Sequence, residues 1–186
     1  IMDKEITNII NQIHSNPEIK GSLVVTGCGS NSLSWLLSVA GASKTILTTY
    51  VPYSKKSLEV FLGKQLANHV SEQESINIAD KAYENSLDLI EPEDKISVFG
   101  LGCTGAISTN RIRKGEDKAY ISIRSENSIT SYSIFFDKER RDRTSEDIII
   151  SKQIINSIAC LHGIDYELSL ELFDNEKLQR THKIVK

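Results

Sequence analysis

Two stretches decide the fold: Ser22-Leu23-Val24-Val25-Thr26-Gly27-Cys28-Gly29-Ser30 and Lys95-Ile96-Ser97-Val98-Phe99-Gly100-Leu101-Gly102-Cys103-Thr104-Gly105. Each starts as a short apolar run, which reads as a buried strand. Each then runs into closely spaced glycines. Residues 22–26 and 95–99 are therefore expected to be strands, with glycine-rich loops at 27–31 and 100–105. In open α/β sheets ligands bind outside the carboxyl ends of strands. Glycines there let backbone N–H groups approach an anion.

Helical patterns surround these strands. Ile6, Ile9, Ile10 and Ile13 recur at helical spacing and predict a helix over residues 3–14. Leu33, Leu36 and Leu37 mark a second helix that Gly41 ends. Residues 45–50 are rich in β-branched side chains and predict a strand. Ser54 is the expected N-cap of a helix through Leu62, stopped by Gly63. Ser71 is expected to cap a long helix over 72–90, with Glu74 as its capping-box carboxylate. Residues 118–124 and 131–136 predict a strand pair with Asn127 and Ser128 in the turn. Thr144 is the expected cap of a helix over 145–162, and the tail 164–186 reads as partly helical or irregular. Alternating strands and helices predict one α/β domain spanning 1–186, with its core at about 6–161. Its sheet is expected to be mainly parallel, flanked by helices, with an added antiparallel strand pair.

Composition narrows the function. The net charge is -3, which argues against a dedicated nucleic-acid binder because phosphate neutralisation needs a basic surface. No apolar run reaches the ~20 residues needed to span a bilayer, so no membrane association is expected. Three cysteines, Cys28, Cys103 and Cys160, cannot form a paired disulfide framework. They fit a reducing compartment, and a cytoplasmic location is expected.

No Gly-Lys-Ser/Thr is present, so neither glycine loop is a P-loop. The second matches G-x-G-x-x-G through Gly100, Gly102 and Gly105, but no crossover unit follows it. No cofactor is expected. Cys28 and Cys103 occupy similar places in the two loops, and a nucleophilic cysteine would need a base nearby. The histidines, His14, His69, His162 and His182, are scattered; they favour neither cysteine catalysis nor a metal site. The densest charge run is Lys138 to Arg143. A solvated turn is its ordinary explanation, yet it precedes a helix, where a guanidinium could grip a phosphate bidentately.

These pieces, in this order, resemble the C-terminal domain of the CinA (competence/damage-inducible) family, from about Ile6 to Leu161. The resemblance is carried by Gly41-Ala42-Ser43, Tyr53-Ser54, Leu62-Gly63 and Val70-Ser71-Glu72. Phe99-Gly100-Leu101-Gly102 is similar to the family's T-G-I-A-G-P loop. The 140–143 run stands where the family has G-D-R. Bacterial members are nicotinamide-mononucleotide amidohydrolases, so the resemblance implies a pyridine-nucleotide ligand. It also implies a dimer, and for one branch a nucleotidylyltransferase-like partner domain.

Two departures bear on chemistry. The family's first loop is E-S-C-T-G-G, with the serine as nucleophile; here Thr26 or Gly27 aligns with that serine. The family's Y-S-N-E-A-K motif ends in a lysine that assists it; here Leu58 stands there. A leucine moves no proton. The expected function is therefore a CinA-like domain that binds a phosphate-bearing, pyridine-nucleotide-type ligand and has diverged catalytically. The alternative is an active amidohydrolase with a substituted nucleophile: Thr26, Ser30 or Cys28, with Tyr53 as acid–base partner and Lys55 or Lys56 as a displaced lysine. The expected ligand-binding residues are Gly27, Cys28, Gly29, Gly100, Gly102, Thr104, Gly105, Arg140 and Arg143.

Overall fold

A computed structural model describes residues 2–67 and 70–186. His69 lies outside the described residues.

The first helix, α1 (Lys4–His14), is capped by Asp3, whose carboxylate accepts the Ile6 N–H at 2.9 Å. Strand β1 (Ile19–Thr26) leads through Gly27–Gly29 into α2 (Ser30–Ser38). After a short 3-10 turn come β2 (Ile46–Tyr50) and α3 (Lys55–Leu62). Ser54 caps α3, accepting the Ser57 N–H at 3.1 Å, and Gly63 ends it at φ +72°. The long helix α4 (Glu72–Asp88) starts as expected, with Ser71 Oγ accepting the Glu74 N–H at 3.1 Å. The Glu74 carboxylate does not close the expected capping box: its Oε1 accepts from Asn77 Nδ2 at 3.3 Å and its Oε2 meets no donor among the described residues. The chain then forms β3 (Ser97–Ala106), β4 (Lys118–Arg124), β5 (Ser128–Phe135), α5 (Arg143–Leu161) and β6 (Lys177–Ile184).

Among the described residues the strands form a six-stranded sheet of order β2-β1-β3-β4-β5-β6. β1 pairs in parallel with β2 and β3. The pairs β3–β4, β4–β5 and β5–β6 are antiparallel. The expected combination of parallel strands with an antiparallel addition is present: β2-β1-β3 form the parallel side of the sheet, and the antiparallel wing is one strand larger.

Strand alternation sends successive side chains to opposite faces. Leu23, Val25, Phe99, Leu101, Cys103 and Ile121 join one core with α1, α2 and α5. Val24 faces the other side, in a smaller cluster with Leu58, Leu66, Ile78 and Ala82 from α3, α4 and the segment after α3. Burial of those aliphatic side chains contributes about 1.5–3 kcal/mol each before entropy is counted.

Three further expectations are corrected. The stretch 100–105 is not a loop: it lies inside β3, paired with β1 on one side and β4 on the other. Its glycines serve packing. A Cβ at Gly102 would stand 2.6 Å from Ala79 N, and one at Gly100 would collide with backbone atoms of Ala79 and Tyr83. Both positions therefore let α4 lie close against the sheet. Small hydroxyl residues complete that seam: Ser86 Oγ donates to Ser22 Oγ at 2.8 Å, and Ser122 Oγ lies 2.7 Å from both Ser75 Oγ and Ser131 Oγ.

The second correction is the cap of α5. Asp142, not Thr144, is the N-cap, and its carboxylate accepts the Ser145 N–H at 2.8 Å. The third is the tail. Residues 177–184 form β6, not a helix, along the free edge of β5. Every β6 side chain is exposed, so the sequence carries no apolar alternation. The strand is held by its backbone ladder and by contacts such as His182 Nδ1 to Thr130 Oγ1 at 2.8 Å.

Candidate functional site

The connections from β1 and β2 leave the sheet on opposite faces: β1 feeds α2 on the larger core's face, and β2 feeds α3 on the other. Such a divergence opens a crevice at the carboxyl ends of the strands. A cleft of about 240 Å³ lies there, lined by Val25, Gly27, Cys28, Ser30, Asn31, Val51, Tyr53, Arg143, Thr144 and Asp147.

The first glycine loop owes its shape to α5. Gly27 and Gly29 adopt φ of +80° and +88°, the left-handed region where glycine carries no Cβ penalty. The Gly29 N–H donates to Asp147 Oδ1 at 2.6 Å, and Asn31 Nδ2 donates to Asp147 Oδ2 at 2.6 Å. Ser151 Oγ donates to the same Oδ2 at 3.3 Å. With both oxygens occupied, this buried carboxylate is a loop anchor and not a free base.

Arg143 crosses the cleft one helical turn before Asp147, a spacing that puts both on one face of α5. Its Nη1 donates to Ser108 O at 3.0 Å, and its Nη2 reaches Gly27 O at 3.3 Å and Tyr53 Oη at 3.4 Å. A guanidinium carries five N–H donors, so these bonds leave at least two for a ligand.

Arg140 stands apart from the cleft. Its Nε donates to Asp137 Oδ2 at 2.6 Å and its Nη2 to Asn175 Oδ1 at 2.8 Å. The Arg140 Nε bond, with one from Asn175 Nδ2 at 3.0 Å and one from the Glu139 N–H, holds the Asp137 carboxyl down at about 2. Arg141 is forked onto Glu176. Both guanidiniums lie 4.0 Å from the Phe173 ring centroid, so this pair ties the start of α5 to the 171–176 turn.

The remaining expected residues divide. Ser30 is exposed on the cleft wall at the first turn of α2. Tyr53 is exposed opposite it. Thr26 is buried at the end of β1, and alternation from Val25 turns it to the other face of the sheet. Thr104 shares that face with Gly100 and Gly102. Gly105 packs against Cys28, and a Cβ there would overlap the thiol. Leu58 is 1% exposed within the smaller core, where a lysine ammonium would go unsolvated.

No histidine stands ready beside Cys28 among the described residues. His14 is engaged by Thr45 Oγ1 at 2.6 Å and Leu36 O at 2.9 Å. His162 follows the far end of α5, roughly 28 Å along the helix from Arg143.

A second carboxyl cluster lies behind the cleft. Glu146, fully buried on α5, accepts the Ser108 N–H at 2.7 Å through Oε2, while its Oε1 meets no donor among the described residues. Burial, with the Asp117 carboxylate beside it, pushes its pKa up to about 8. Arg113 pairs with Asp117. Asn31, Asp147 and Glu146 were not singled out as site residues from the sequence. The available signal was the (i, i+4) pair Arg143 and Asp147 in the first turns of a helix that follows a charge run.

This architecture is that of the competence/damage-inducible, CinA-type proteins. A competence/damage-inducible protein, CihA, from Agrobacterium tumefaciens superposes with a TM-score of 0.67 over 89% of this chain and 99% of that one, at 15% identity. A competence or damage-inducible protein from Enterobacter asburiae gives 0.62 over 86% and 95%, at 14% identity. A CinA superfamily protein from Escherichia coli gives 0.62 over 87% and 92%, at 13% identity. No protein-family model matches the sequence, and no curated protein matches it significantly. The chain thus has a CinA-like fold.

Proposed function

We propose that the cleft between the ends of β1 and β2 binds a phosphate-bearing small molecule of the pyridine-nucleotide type, and that the domain has diverged from hydrolysis. The observation that carries the reading is Arg143. Its guanidinium is exposed, pinned by three protein acceptors and still has donors to spare. A pre-oriented guanidinium suits bidentate recognition of a phosphate. At about 240 Å³ the cleft falls below the roughly 300 Å³ at which drug-sized pockets begin. It would enclose the phosphate and sugar of a mononucleotide and leave the base against Tyr53 and Val51 at the rim.

Three features argue for binding over turnover. Thr26 faces away from the cleft, Leu58 is core where a proton-moving lysine would be needed, and the Asp147 carboxylate is consumed by the loop. Activated nucleophiles require a base within hydrogen-bond reach. A second reading, an amidohydrolase with a substituted nucleophile, rests on Ser30, an expected nucleophile that lines the cleft.

The test is a thermal-shift panel of pyridine nucleotides, run beside an ammonia-release assay with nicotinamide mononucleotide. Stabilisation that disappears in Arg143→Ala, persists in Arg140→Ala and comes without ammonia supports the binding reading. Turnover abolished by Ser30→Ala overturns the loss of catalysis. No stabilisation by any member of the panel overturns the ligand class.

A further inference from the structure

Cys28 and Cys103 come from separate elements, 75 residues apart, yet their Sγ atoms lie 3.7 Å from each other. Cys28 lines the cleft, while Cys103 is sealed behind it on β3 at 0% exposure. A disulfide needs an S–S distance of about 2.0 Å, so closure asks for a shift of under about 2 Å. Cys28 sits between two glycines in the left-handed region, a segment free of Cβ crowding on either side. The third cysteine, Cys160, is exposed near the end of α5.

We propose that Cys28 and Cys103 form an oxidisable dithiol, with Cys28 as the thiol that meets the oxidant from the cleft and Cys103 as the resolving thiol. Hydrogen peroxide is the oxidant, and it is small enough to enter where a glutathione disulfide is not. The Cys28 sulfur attacks a peroxide oxygen. An S–O bond forms, the O–O bond breaks, and the leaving hydroxide takes the thiol proton to become water. Cys28 is then a sulfenic acid. The Cys103 sulfur attacks the Cys28 sulfur. The S–S bond forms, the S–O bond breaks, and the departing hydroxide takes the Cys103 proton as a second water. Two thiols lose two electrons and one peroxide gains them.

The order of attack follows from the environment. The bond that the Cys103 thiol makes to Cys28 and its own burial hold it well above the usual range, so it stays protonated until a sulfenic sulfur is presented to it. Closure would draw Cys28 toward β3 and pull the Gly29 N–H against its bond to Asp147. The cleft wall would change shape. That consequence rests on the binding reading above; formation of the disulfide does not.

The experiment uses the full chain carrying Cys160→Ser, which removes intermolecular exchange. The protein is treated with hydrogen peroxide, denatured, alkylated and weighed. The expected result is a species about 2 Da lighter, with residues 28 and 103 in one cross-linked peptide, unalkylated and restored by dithiothreitol. Cys103→Ser should instead accumulate Cys28 sulfenic acid that a dimedone probe captures. Should that variant fail to fold, the cross-linked peptide in the parent protein decides alone. Full alkylation of both cysteines after peroxide, or Cys28 carried to sulfinic acid beside a free Cys103, overturns the proposal. Nucleotide stabilisation is measured on reduced and oxidised protein. Its absence in the reduced form sinks the binding reading and leaves the mass result to judge the dithiol.

Discussion

The Gly29 N–H and Asp147 Oδ1 are 2.6 Å apart, joined across 118 positions of sequence. That bond, with Asn31 on the second oxygen, fixes the first glycine loop to the opening turn of α5. The loop's left-handed glycines would otherwise be free to sample many conformations.

Asp147→Ala should therefore do two things. Breaking a buried charge-assisted network typically costs about 1–3 kcal/mol, so the melting temperature should fall by several degrees. Nucleotide stabilisation should also vanish, because Gly27 O would no longer help hold Arg143. Asp147→Asn is informative. It keeps the volume but turns an N–H₂ toward a donor, and it should lose most of the stabilisation of the loop. Thermal denaturation with and without ligand checks both.

Gly102→Ala should destabilise the fold without touching the cleft. A methyl there meets backbone of α4 at 2.6 Å, and backbone cannot step aside as a side chain can. Overpacking of this kind costs about 1–3 kcal/mol. Urea denaturation should show a lower midpoint. At temperatures where the variant is folded, its nucleotide affinity should match the parent's.

Acidification should unfold the protein partly through His162. Burial, with His14 nearby, lowers its pKa from 6.5 to about 4. Between those values the unfolded chain binds the proton and the folded one does not. Stability is present above pH 6.5 and is lost as pH falls toward 4. With solvent screening allowed for, the loss is on the order of 1–2 kcal/mol. His162→Leu should flatten that part of the melting-temperature profile.

Glu146 should act with the opposite sign. Its pKa is raised from 4.5 to about 8, so the folded state holds a proton that the unfolded chain releases. Stability from this group is full below pH 4.5 and is lost as pH rises through 8. Glu146→Gln keeps an oxygen for the Ser108 N–H and needs no proton. It should raise the melting temperature at pH 8 relative to the parent, with little change at pH 5.

Much of this architecture is legible without coordinates. The isoleucines of α1 at helical spacing, the caps Ser54 and Ser71 and the stop at Gly63 are local devices, encoded within a few residues of where they act. The apolar runs of β1 and β3 declare buried strands. The position of the cleft follows too, since strand carboxyl ends are where an α/β sheet binds. Arg143 was within reach, as one of two arginines proposed for the phosphate.

What the chain does not encode locally is which contacts a residue meets at long range. Gly100 and Gly102 look like a phosphate loop because glycines in loops and glycines under a helix are the same residue. Only the approach of α4 shows that they are spaces left for its backbone. Residues 177–184 carry no apolar alternation because neither of their faces is buried, and only the free edge of β5 makes them a strand. Arg140 and Arg143 are indistinguishable in a run of charge. The turn before α5 sends Arg140 to Asp137 and Phe173, and the first turn of α5 sends Arg143 across the cleft to Tyr53 and Gly27. Local patterning determined the elements and the end of the sheet where a ligand would sit. Tertiary packing decided which glycines make room for the α4 backbone, which arginine faces the cleft and which two cysteines touch.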